Sequence, residues 1–278
     1  MGRVAFLFAG QGAQVPGMAS DVKDLPKVRK LFSVAEAIRP GIVDKMLNGT
    51  QEELNRTLLT QPTMFLADLA YAYAKEEELG APACACGFSV GEVPALCFAG
   101  MLSEEDAFRA ILRRAELMEA YTARVPGCMI ACVKLPADKV ESLCDGESTH
   151  PANYNGALQT VVACRAEAEE AFCAKVKEAG GRAMKLRVSG MFHCPELAPE
   201  AAEFEAFLRT LRWQAPRLPV YANLTAQPYE GDYARTLALQ MRSPVRFTET
   251  VARMRAAGVD EFVEVGPGKV LTGLVQRG

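Results

Sequence analysis

The sequence is poor in histidine and tryptophan, and it carries no excess of positive charge. Its 278 residues include 2 histidines and 1 tryptophan, and 31 lysines and arginines stand against 34 aspartates and glutamates. The net charge of −3 argues against nucleic-acid binding, because proteins with that function normally carry a basic excess. The scarcity of histidine also limits the search for a histidine base to two positions.

The chain also lacks a long apolar run, a targeting segment and a regular cysteine pattern. The apolar run at 4–8 is too short for a signal peptide, and no apolar stretch reaches the roughly 20 residues of a membrane-spanning helix. Nine cysteines lie at scattered spacings, and no histidine is close enough in sequence to Cys84 and Cys86 to complete a zinc site. We therefore expect a cytoplasmic protein with free thiols, no metal and no membrane partner.

A Gly-x-Ser-x-Gly pattern places Ser89 between Gly87 and Gly91. Alone, the pattern also fits a small residue in a tight turn, because a chain with 22 glycines produces such patterns by chance. Its surroundings favour a catalytic interpretation, since 83–87 predicts a short buried strand and 92–99 predicts a helix. A serine on the turn between a strand and a helix is the arrangement of a nucleophile elbow.

The order of predicted elements indicates two lobes. Between 128 and 188 the pattern predicts strand, helix, two strands, helix and strand, which is the βαββαβ order of a ferredoxin-like unit. We predict an α/β protein with a large α/β-hydrolase-like lobe, formed by 1–124 and 190–278, and an inserted ferredoxin-like small subdomain at 125–189. Clefts between lobes commonly bind small molecules. In the large lobe, 51–60 predicts one helical stretch and Gln61-Pro62 opens the next, which ends at Leu79.

A serine hydroxyl is a good nucleophile only when an adjacent base accepts its proton. His150 lies in a polar segment, where we expect a solvated loop. His193 follows the last predicted strand of the small subdomain, at the return to the large lobe, and is therefore the better candidate for the base. A structural histidine at a domain junction is the alternative.

Acyl transfer also needs hydrogen-bond donors for an oxyanion. The backbone N–H of Val90, the residue after the serine, supplies one. Gln11, in the glycine-rich segment 10–14, is a candidate for the second, although a plain structural turn also fits that segment. A phosphate-binding loop is excluded by its spacing, because position 15 is valine and no Gly-Lys-Ser/Thr follows.

Five blocks together resemble malonyl-CoA:acyl carrier protein transacylases, and they occur in the order of that family across essentially the whole chain. The blocks are FLFAGQGAQ at 6–14, GFSVGE at 87–92, GMFH at 190–193, QMRSPV at 240–245 and FVEVGPGKVLTG at 262–273.

The resemblance implies a Ser–His dyad, in which Ser89 is the nucleophile and His193 is the general base and acid. It implies that a backbone carbonyl orients the histidine, and the matching position is Gln240, whose side chain is not what orients it. It also implies that Gln11 and Val90 form the oxyanion hole.

The resemblance implies residues that select the substrate as well. Arg114 matches the arginine that binds the free carboxylate of the malonyl group, and a guanidinium can form a bidentate pair with a carboxylate. Phe192 resembles an aromatic residue of malonyl-selective members, although an ordinary core position also explains it. Gln61 and Asn155 match positions near the cleft. Phe88 stands where most bacterial members have histidine, and we expect it to pack against the acyl group or the pantetheine arm.

The implied enzyme is an [acyl-carrier-protein] S-malonyltransferase. It would move a malonyl group from malonyl-CoA through a malonyl-serine to the phosphopantetheine thiol of holo-acyl carrier protein, releasing CoA and supplying fatty acid synthesis without a cofactor. We expect a monomer. The chain stops soon after Gly273, where the family continues, and we expect this to affect stability more than catalysis.

An acidic carrier protein could dock at a group of four C-terminal arginines, although a solvated helix face explains these residues equally well. They are Arg242, Arg246, Arg253 and Arg255.

Three alternatives stay open. One is a stand-alone acyltransferase of a polyketide pathway, which the sequence does not distinguish from the fatty acid enzyme. The second is an α/β-hydrolase-type thioesterase, which would leave the 10–14 segment and Arg114 unexplained. The third is a catalytically silent scaffold that binds a carrier protein, which would not need both Ser89 and His193.

Overall fold

The computed structural model describes residues 2–188 and 190–277, and its strands form two separate sheets. Met1, Ser189 and Gly278, which include the predicted end of the small subdomain, lie outside the described residues. The α/β class with a parallel-sheet lobe and an antiparallel small subdomain is confirmed, while the domain boundaries stay a prediction. The strands are β1 Arg3–Phe8, β2 Cys84–Gly87, β3 Gly127–Val133, β4 Thr149–Gly156, β5 Gln159–Arg165, β6 Arg182–Lys185, β7 Val220–Tyr221 and β8 Val259–Val265.

Helices surround the parallel sheet and cover one face of the antiparallel one. They are α1 Pro26–Ile38, α2 Ile42–Asn48, α3 Gln51–Leu54, α4 Thr57–Leu79, α5 Glu92–Phe98, α6 Glu104–Arg124, α7 Ala137–Leu143, α8 Glu169–Glu178, α9 Ala198–Leu208, α10 Tyr233–Gln240, α11 Phe247–Ala256 and α12 Val270–Arg277. None of these helices combines the length and apolar character that a membrane span needs.

The large lobe is built on a parallel sheet with the strand order β7-β2-β1-β8. β1 is apolar almost throughout because both faces of the sheet are covered. Phe6 and Phe8 face a core that includes α4 and α5, and Ala5 and Leu7 face the core that includes α11 and α12. The carboxyl ends of these strands meet at one edge, where sites of parallel sheets form.

The small subdomain is antiparallel, with the order β4-β5-β3-β6 that a βαββαβ unit produces. Side chains of β3 alternate between its two faces. Ile130 packs with α7 and α8, whereas Met129 and Ala131 belong to the core shared with the large lobe. β4 also joins the lobes directly, because Tyr154 N donates to the Val245 carbonyl at 2.9 Å.

Two expectations about local structure are wrong. No helix boundary occurs at Gln61-Pro62, since α4 runs through Pro62. Proline cannot donate to the carbonyl of Leu58, but Arg39 Nη1 donates to that carbonyl at 2.7 Å. His150 is not in a solvated loop: it lies in β4, paired with β5, and its side chain is buried with Nε2 3.1 Å from the Glu147 carbonyl.

The nine cysteines are free thiols, and only Cys144 and Cys173 are half-buried rather than buried. Burial raises the pKa of the Cys86 and Cys97 thiols, so these side chains are neutral core residues. Within residues 2–188 and 190–277, histidine, cysteine and acidic side chains do not gather in groups of three or more that could hold a metal ion.

Candidate active site

Ser89 sits on a tight turn between β2 and α5, at the carboxyl edge of the parallel sheet. Its backbone has a φ of 54°, in the left-handed region that is costly for a residue with a side chain. The flanking glycines allow this turn to pack closely. A Cβ at Gly87 would overlap the backbone of Gly91, and a Cβ at Gly91 would overlap the carbonyls of Phe8 and Ala9.

Asn223 fixes the serine turn from the neighbouring strand. Its Oδ1 accepts a hydrogen bond from Ser89 N at 2.7 Å, and its Nδ2 donates to the Gly87 carbonyl at 2.5 Å. Asn223 follows β7, which pairs in parallel with β2, so the two strands end side by side. The strained turn is therefore held by a buried amide from another part of the chain.

The structure brings Ser89 and His193 together. Ser89 Oγ lies 2.6 Å from His193 Nε2, and His193 Nδ1 lies 2.9 Å from the carbonyl oxygen of Gln240. A carbonyl only accepts, so Nδ1 carries the proton and Nε2 faces the hydroxyl as a free acceptor. Burial, together with the positive charge of Arg114, lowers the pKa of His193 to about 4. The imidazole is therefore neutral at pH 7 and able to accept a proton.

Arg114, on α6, places a buried positive charge beside this pair. Its side chain is only 1% exposed, and Nη2 lies 3.3 Å from Ser89 Oγ. Nη1 donates to Gln61 Oε1 at 2.9 Å, and Nη2 also donates to Gln240 Oε1 at 3.0 Å. Burial lowers the pKa of Arg114 to about 10, opposed by the charge of Glu92, so the guanidinium stays charged near neutral pH.

The Gln240 side chain is part of the same network, in addition to the backbone carbonyl that contacts His193. Its Nε2 donates to the Ser89 carbonyl at 2.7 Å and to Glu92 Oε2 at 3.0 Å. Glu92 is fully buried, and Tyr229 OH donates to its Oε1. Burial raises the pKa of Glu92 to about 7, although hydrogen bonds from Tyr229 and Gln240 oppose the shift.

A cavity of about 550 Å³ opens in front of Ser89 and His193, between the two lobes. The small subdomain contributes the side of β3 and β5 that faces the large lobe, and α12 and the 10–15 segment contribute the opposite wall. Its lining includes six of the predicted site residues: Gln11, Phe88, Ser89, Asn155, Phe192 and His193.

The remaining predicted residues lie behind the serine or beside it. Arg114 and Gln240 are buried and contact Ser89, Gln61 is buried behind them against Arg114, and Val90 follows the serine in the first turn of helix. Backbone N–H groups in such a first turn have no partner within the helix. The oxyanion-hole roles of Gln11 and Val90 stay predictions.

Three lining residues shape the cavity. Phe88 packs edge-on against Phe247 with the ring centroids 5.5 Å apart, and Phe192 is buried beside His193. Asn155 presents a buried Oδ1 that has no hydrogen-bond partner among the described residues, so this atom can accept a bond from a bound molecule. The wall is thus mainly apolar, with a few polar atoms directed inward.

The four C-terminal arginines offer less free charge than their number indicates. Arg246 and Arg253 both pair with Glu249, and Arg255 donates to the carbonyl of Val275. Two other arginines, Arg187 and Arg277, line the cavity and are exposed. They are solvent-exposed cations on the cavity wall.

Sequence reasoning missed the roles of Glu92, Asn223 and Tyr229. Glu92 offered one signal, because a carboxylate in an otherwise apolar helix directly after a nucleophile must find buried partners. Asn223 offered a weaker one, since it comes just after β7, whose neighbour β2 leads into the serine turn. Tyr229 offered none, because it lies in a segment without a periodic pattern.

Comparisons with known proteins agree with this geometry. The family model described as "Acyl transferase domain" matches residues 5–278. The malonyl CoA-acyl carrier protein transacylase of Escherichia coli strain K12 is 36% identical over 287 aligned positions, covering 100% of this chain and 93% of that relative. The structure of the malonyl CoA-acyl carrier protein transacylase from Coxiella burnetii has a TM-score of 0.94 at 30% identity, and the match covers 99% of this chain and 90% of that one.

A malonyl-transacylase solved in complex with its type II polyketide synthase acyl-carrier protein has a TM-score of 0.92 at 33% identity, covering 99% of this chain and 92% of that one. The match of the family model extends over nearly the whole chain, and these relatives share its full length rather than one lobe. The chain belongs to the acyl transferase family.

Proposed function

We propose that this protein is an [acyl-carrier-protein] S-malonyltransferase that moves a malonyl group from malonyl-CoA to holo-acyl carrier protein and supplies fatty acid synthesis. The observation that carries the proposal is the position of Arg114, whose buried guanidinium lies 3.3 Å from an Oγ that contacts a neutral histidine. A nucleophile, a base and a buried cation meet at one point. The names of the relatives, which are malonyl CoA-acyl carrier protein transacylases, support the same conclusion.

In the first half-reaction, His193 Nε2 accepts the Ser89 proton while Oγ attacks the thioester carbonyl carbon of malonyl-CoA. The tetrahedral intermediate then collapses and the carbon–sulfur bond breaks. The CoA sulfur leaves with the proton that His193 had taken, so the products are CoA and malonyl-Ser89. The Gln240 carbonyl holds Nδ1–H and keeps the ring in the required tautomer throughout.

The oxyanion of the intermediate would be held by N–H donors of Val90 and Gln11. Val90 follows Ser89 in the first turn of helix, and Gln11 lines the cavity in front of it. Donors that are fixed before the reaction stabilise charge where it develops, and the loss of one typically costs about 100- to 1000-fold in kcat.

Arg114 would select the malonyl group by pairing with its free carboxylate. The guanidinium is fixed by two amide oxygens, from Gln61 and Gln240, and points toward the serine. An acetyl group has no carboxylate and leaves this buried charge unpaired, which is unfavourable. Phe192 and Phe88 would contact the acyl chain and the pantetheine arm from the cavity wall.

In the second half-reaction the thiol of the phosphopantetheine arm takes the place of CoA. His193 accepts the thiol proton, the sulfur attacks the malonyl-serine ester, and the Ser89 oxygen leaves with the proton. The products are malonyl-acyl carrier protein and the free enzyme. Because one product leaves before the second substrate reacts, the kinetics are ping-pong.

The carrier protein would reach the cavity from its open end, where Arg187 and Arg277 are exposed. Positive charge at that rim would speed the approach of an acidic carrier protein and of CoA phosphates. The C-terminal arginines are a second candidate docking surface, weakened because two of them, Arg246 and Arg253, pair with Glu249. That the enzyme acts as a monomer stays a prediction.

The acyltransferase of a polyketide pathway is the second candidate. It is favoured by the similarity to a malonyl-transacylase bound to a type II polyketide synthase acyl-carrier protein. The chemistry of the site is the same in both cases, so the two functions differ only in the carrier protein that is served.

The test is direct transfer between purified proteins. The enzyme is mixed with malonyl-CoA and holo-acyl carrier proteins from fatty acid and from polyketide synthesis, and malonyl-carrier protein is measured by mass spectrometry. We expect faster transfer to the fatty acid carrier, and none to apo-carrier protein or with Ser89→Ala. Preference for the polyketide carrier would support the second candidate. Release of free malonate without transfer would instead indicate a thioesterase.

A further inference from the structure

We propose that Glu92 is a positioning residue, which fixes the orientation of the Gln240 amide and thereby holds the Arg114 guanidinium toward the acyl group. This inference rests on the proposed function, since it concerns how that site recognises malonyl. Glu92 does not touch the substrate cavity, and it acts through two intermediate side chains.

Hydrogen-bond donors surround the Glu92 carboxylate. The side chain is completely buried in the first turn of α5. Its Oε1 accepts from Tyr229 OH, and its Oε2 accepts from Gln240 Nε2 at 3.0 Å and from Asn223 N at 3.3 Å. Donors therefore surround the carboxylate, and among the described residues Arg114 is the charged group that favours its ionised form. The other ionisable neighbours, Tyr229 and Cys86, are held neutral because burial raises the pKa of each.

The Glu92 carboxylate determines which end of the Gln240 amide faces it. Its amide nitrogen faces Glu92 Oε2 and the carbonyl oxygen of Ser89, at 3.0 and 2.7 Å. Both of these atoms accept hydrogen bonds, so only the NH₂ end of the amide can point toward them. The amide oxygen is consequently turned the other way, where it accepts from Arg114 Nη2 at 3.0 Å.

The orientation of the Gln240 amide in turn fixes Arg114. Its guanidinium is held by two neutral amide oxygens, one from Gln61 and one from Gln240. If the Gln240 amide rotated, its NH₂ group would face the guanidinium, donor against donor, and would displace the Nη2 atom that lies 3.3 Å from Ser89 Oγ. The acceptor at Glu92 therefore prevents a rotation that would remove the carboxylate-binding geometry.

Glu92 performs this task as an acceptor and not through its charge. A proton on Oε1 can be donated to the Tyr229 oxygen while Oε2 continues to accept from Gln240. A glutamine at position 92 can do the same with its amide, whereas a methionine of similar length offers no comparable acceptor. Glu92→Gln and Glu92→Met thus separate the proposed role from burial and size.

The test measures kcat/KM for acylation of Ser89 by malonyl-CoA and by acetyl-CoA in full-length protein. For Glu92→Met we expect the malonyl-over-acetyl ratio to fall by about tenfold or more, the range of a lost hydrogen bond to a charged group. For Glu92→Gln we expect most of the wild-type ratio to be kept. The matched control is Glu200→Gln, a buried carboxylate on α9 that pairs with Arg124 away from the cavity, and its ratio should stay at the wild-type value.

An unchanged ratio in folded Glu92→Met would overturn the proposal, and so would equal losses for both acyl groups, which indicate a general structural role. If Glu92→Met does not fold, the Glu92→Gln variant provides the test. A malonyl-over-acetyl ratio far below the wild-type value would contradict an acceptor role for position 92, and a ratio near the wild-type value would support it. These outcomes differ from a failure of the proposed function, in which the wild-type protein forms no malonyl-serine at all.

Discussion

Replacing Arg114 should change the preference between acyl groups more than the chemistry of acyl transfer. The guanidinium is buried, holds two amide oxygens and lies beside the serine that carries the acyl group. In Arg114→Ala the malonyl carboxylate would enter a buried site without a partner. Acetyl-CoA has no such carboxylate, so its acylation of Ser89 should be less affected.

The expected size follows from the burial of the pair. Arg114 is 1% exposed, so solvent cannot replace it as a partner. Truncating one member of a buried, hydrogen-bonded charge pair costs about 2–5 kcal/mol, which is about 30-fold to several thousand-fold in kcat/KM for malonyl-CoA. Arg114→Lys should fall between the alanine variant and the wild type, because a lysine restores the charge but not the planar two-pronged donor.

The assay is rapid-quench acylation with malonyl-CoA and acetyl-CoA, read by intact-protein mass. The control is Arg113→Ala, on the same helix, since Arg113 pairs with Glu116 and Glu203 at the surface and should leave the ratio unchanged. Equal losses for both substrates in Arg114→Ala would refute the reasoning, because they would place the arginine in the common chemistry rather than in carboxylate recognition.

Three further predictions concern pH, the serine turn and the cavity wall. Only neutral His193 accepts a proton, so kcat/KM should fall as the pH drops through the His193 pKa of about 4. Arg114→Ala removes a positive charge that lowers this pKa, so the fall should occur at higher pH in the variant; an unchanged pH profile would contradict the effect of Arg114 on His193. Gly91→Ala should lower the thermal unfolding midpoint, because a Cβ there overlaps the Phe8 carbonyl and overpacking costs about 1–3 kcal/mol; an unchanged midpoint would argue against this packing. Phe192 lines the cavity beside His193, so Phe192→Ala should make room for a 2-methyl branch and raise kcat/KM for methylmalonyl-CoA relative to malonyl-CoA. A constant ratio of these two kcat/KM values would indicate that Phe192 is an ordinary core residue.

The sequence predicts those features that depend on short-range patterns. The Gly-x-Ser-x-Gly turn between a strand and a helix, and the βαββαβ order of the small subdomain, are visible in windows of a few dozen residues. The pairing of Ser89 with His193 is not visible in any short stretch, because the two residues are 104 positions apart, and it is the resemblance to a family that predicts it. In the structure Ser89 Oγ and His193 Nε2 are 2.6 Å apart.

What the sequence could not provide are contacts that only the folded chain creates. Gln240 and Glu92 are 148 residues apart, and nothing local to either shows that one amide will bridge a carboxylate and a guanidinium. The continuous helix through Pro62 escapes the sequence for the same reason, because the guanidinium that bonds the Leu58 carbonyl, which proline leaves without a helical donor, comes from residue 39. The burial of His150 is likewise not visible in the sequence, because its segment is polar and becomes part of the sheet only through the pairing of β4 with β5.

The most direct test of the central claim is the mass of the intact protein after brief mixing with malonyl-CoA, followed by addition of holo-acyl carrier protein. We predict one malonyl adduct, located on Ser89, absent in Ser89→Ala, and discharged to the carrier protein rather than to water. No adduct on the wild-type protein, or an adduct on another residue that the carrier protein does not remove, would contradict the account.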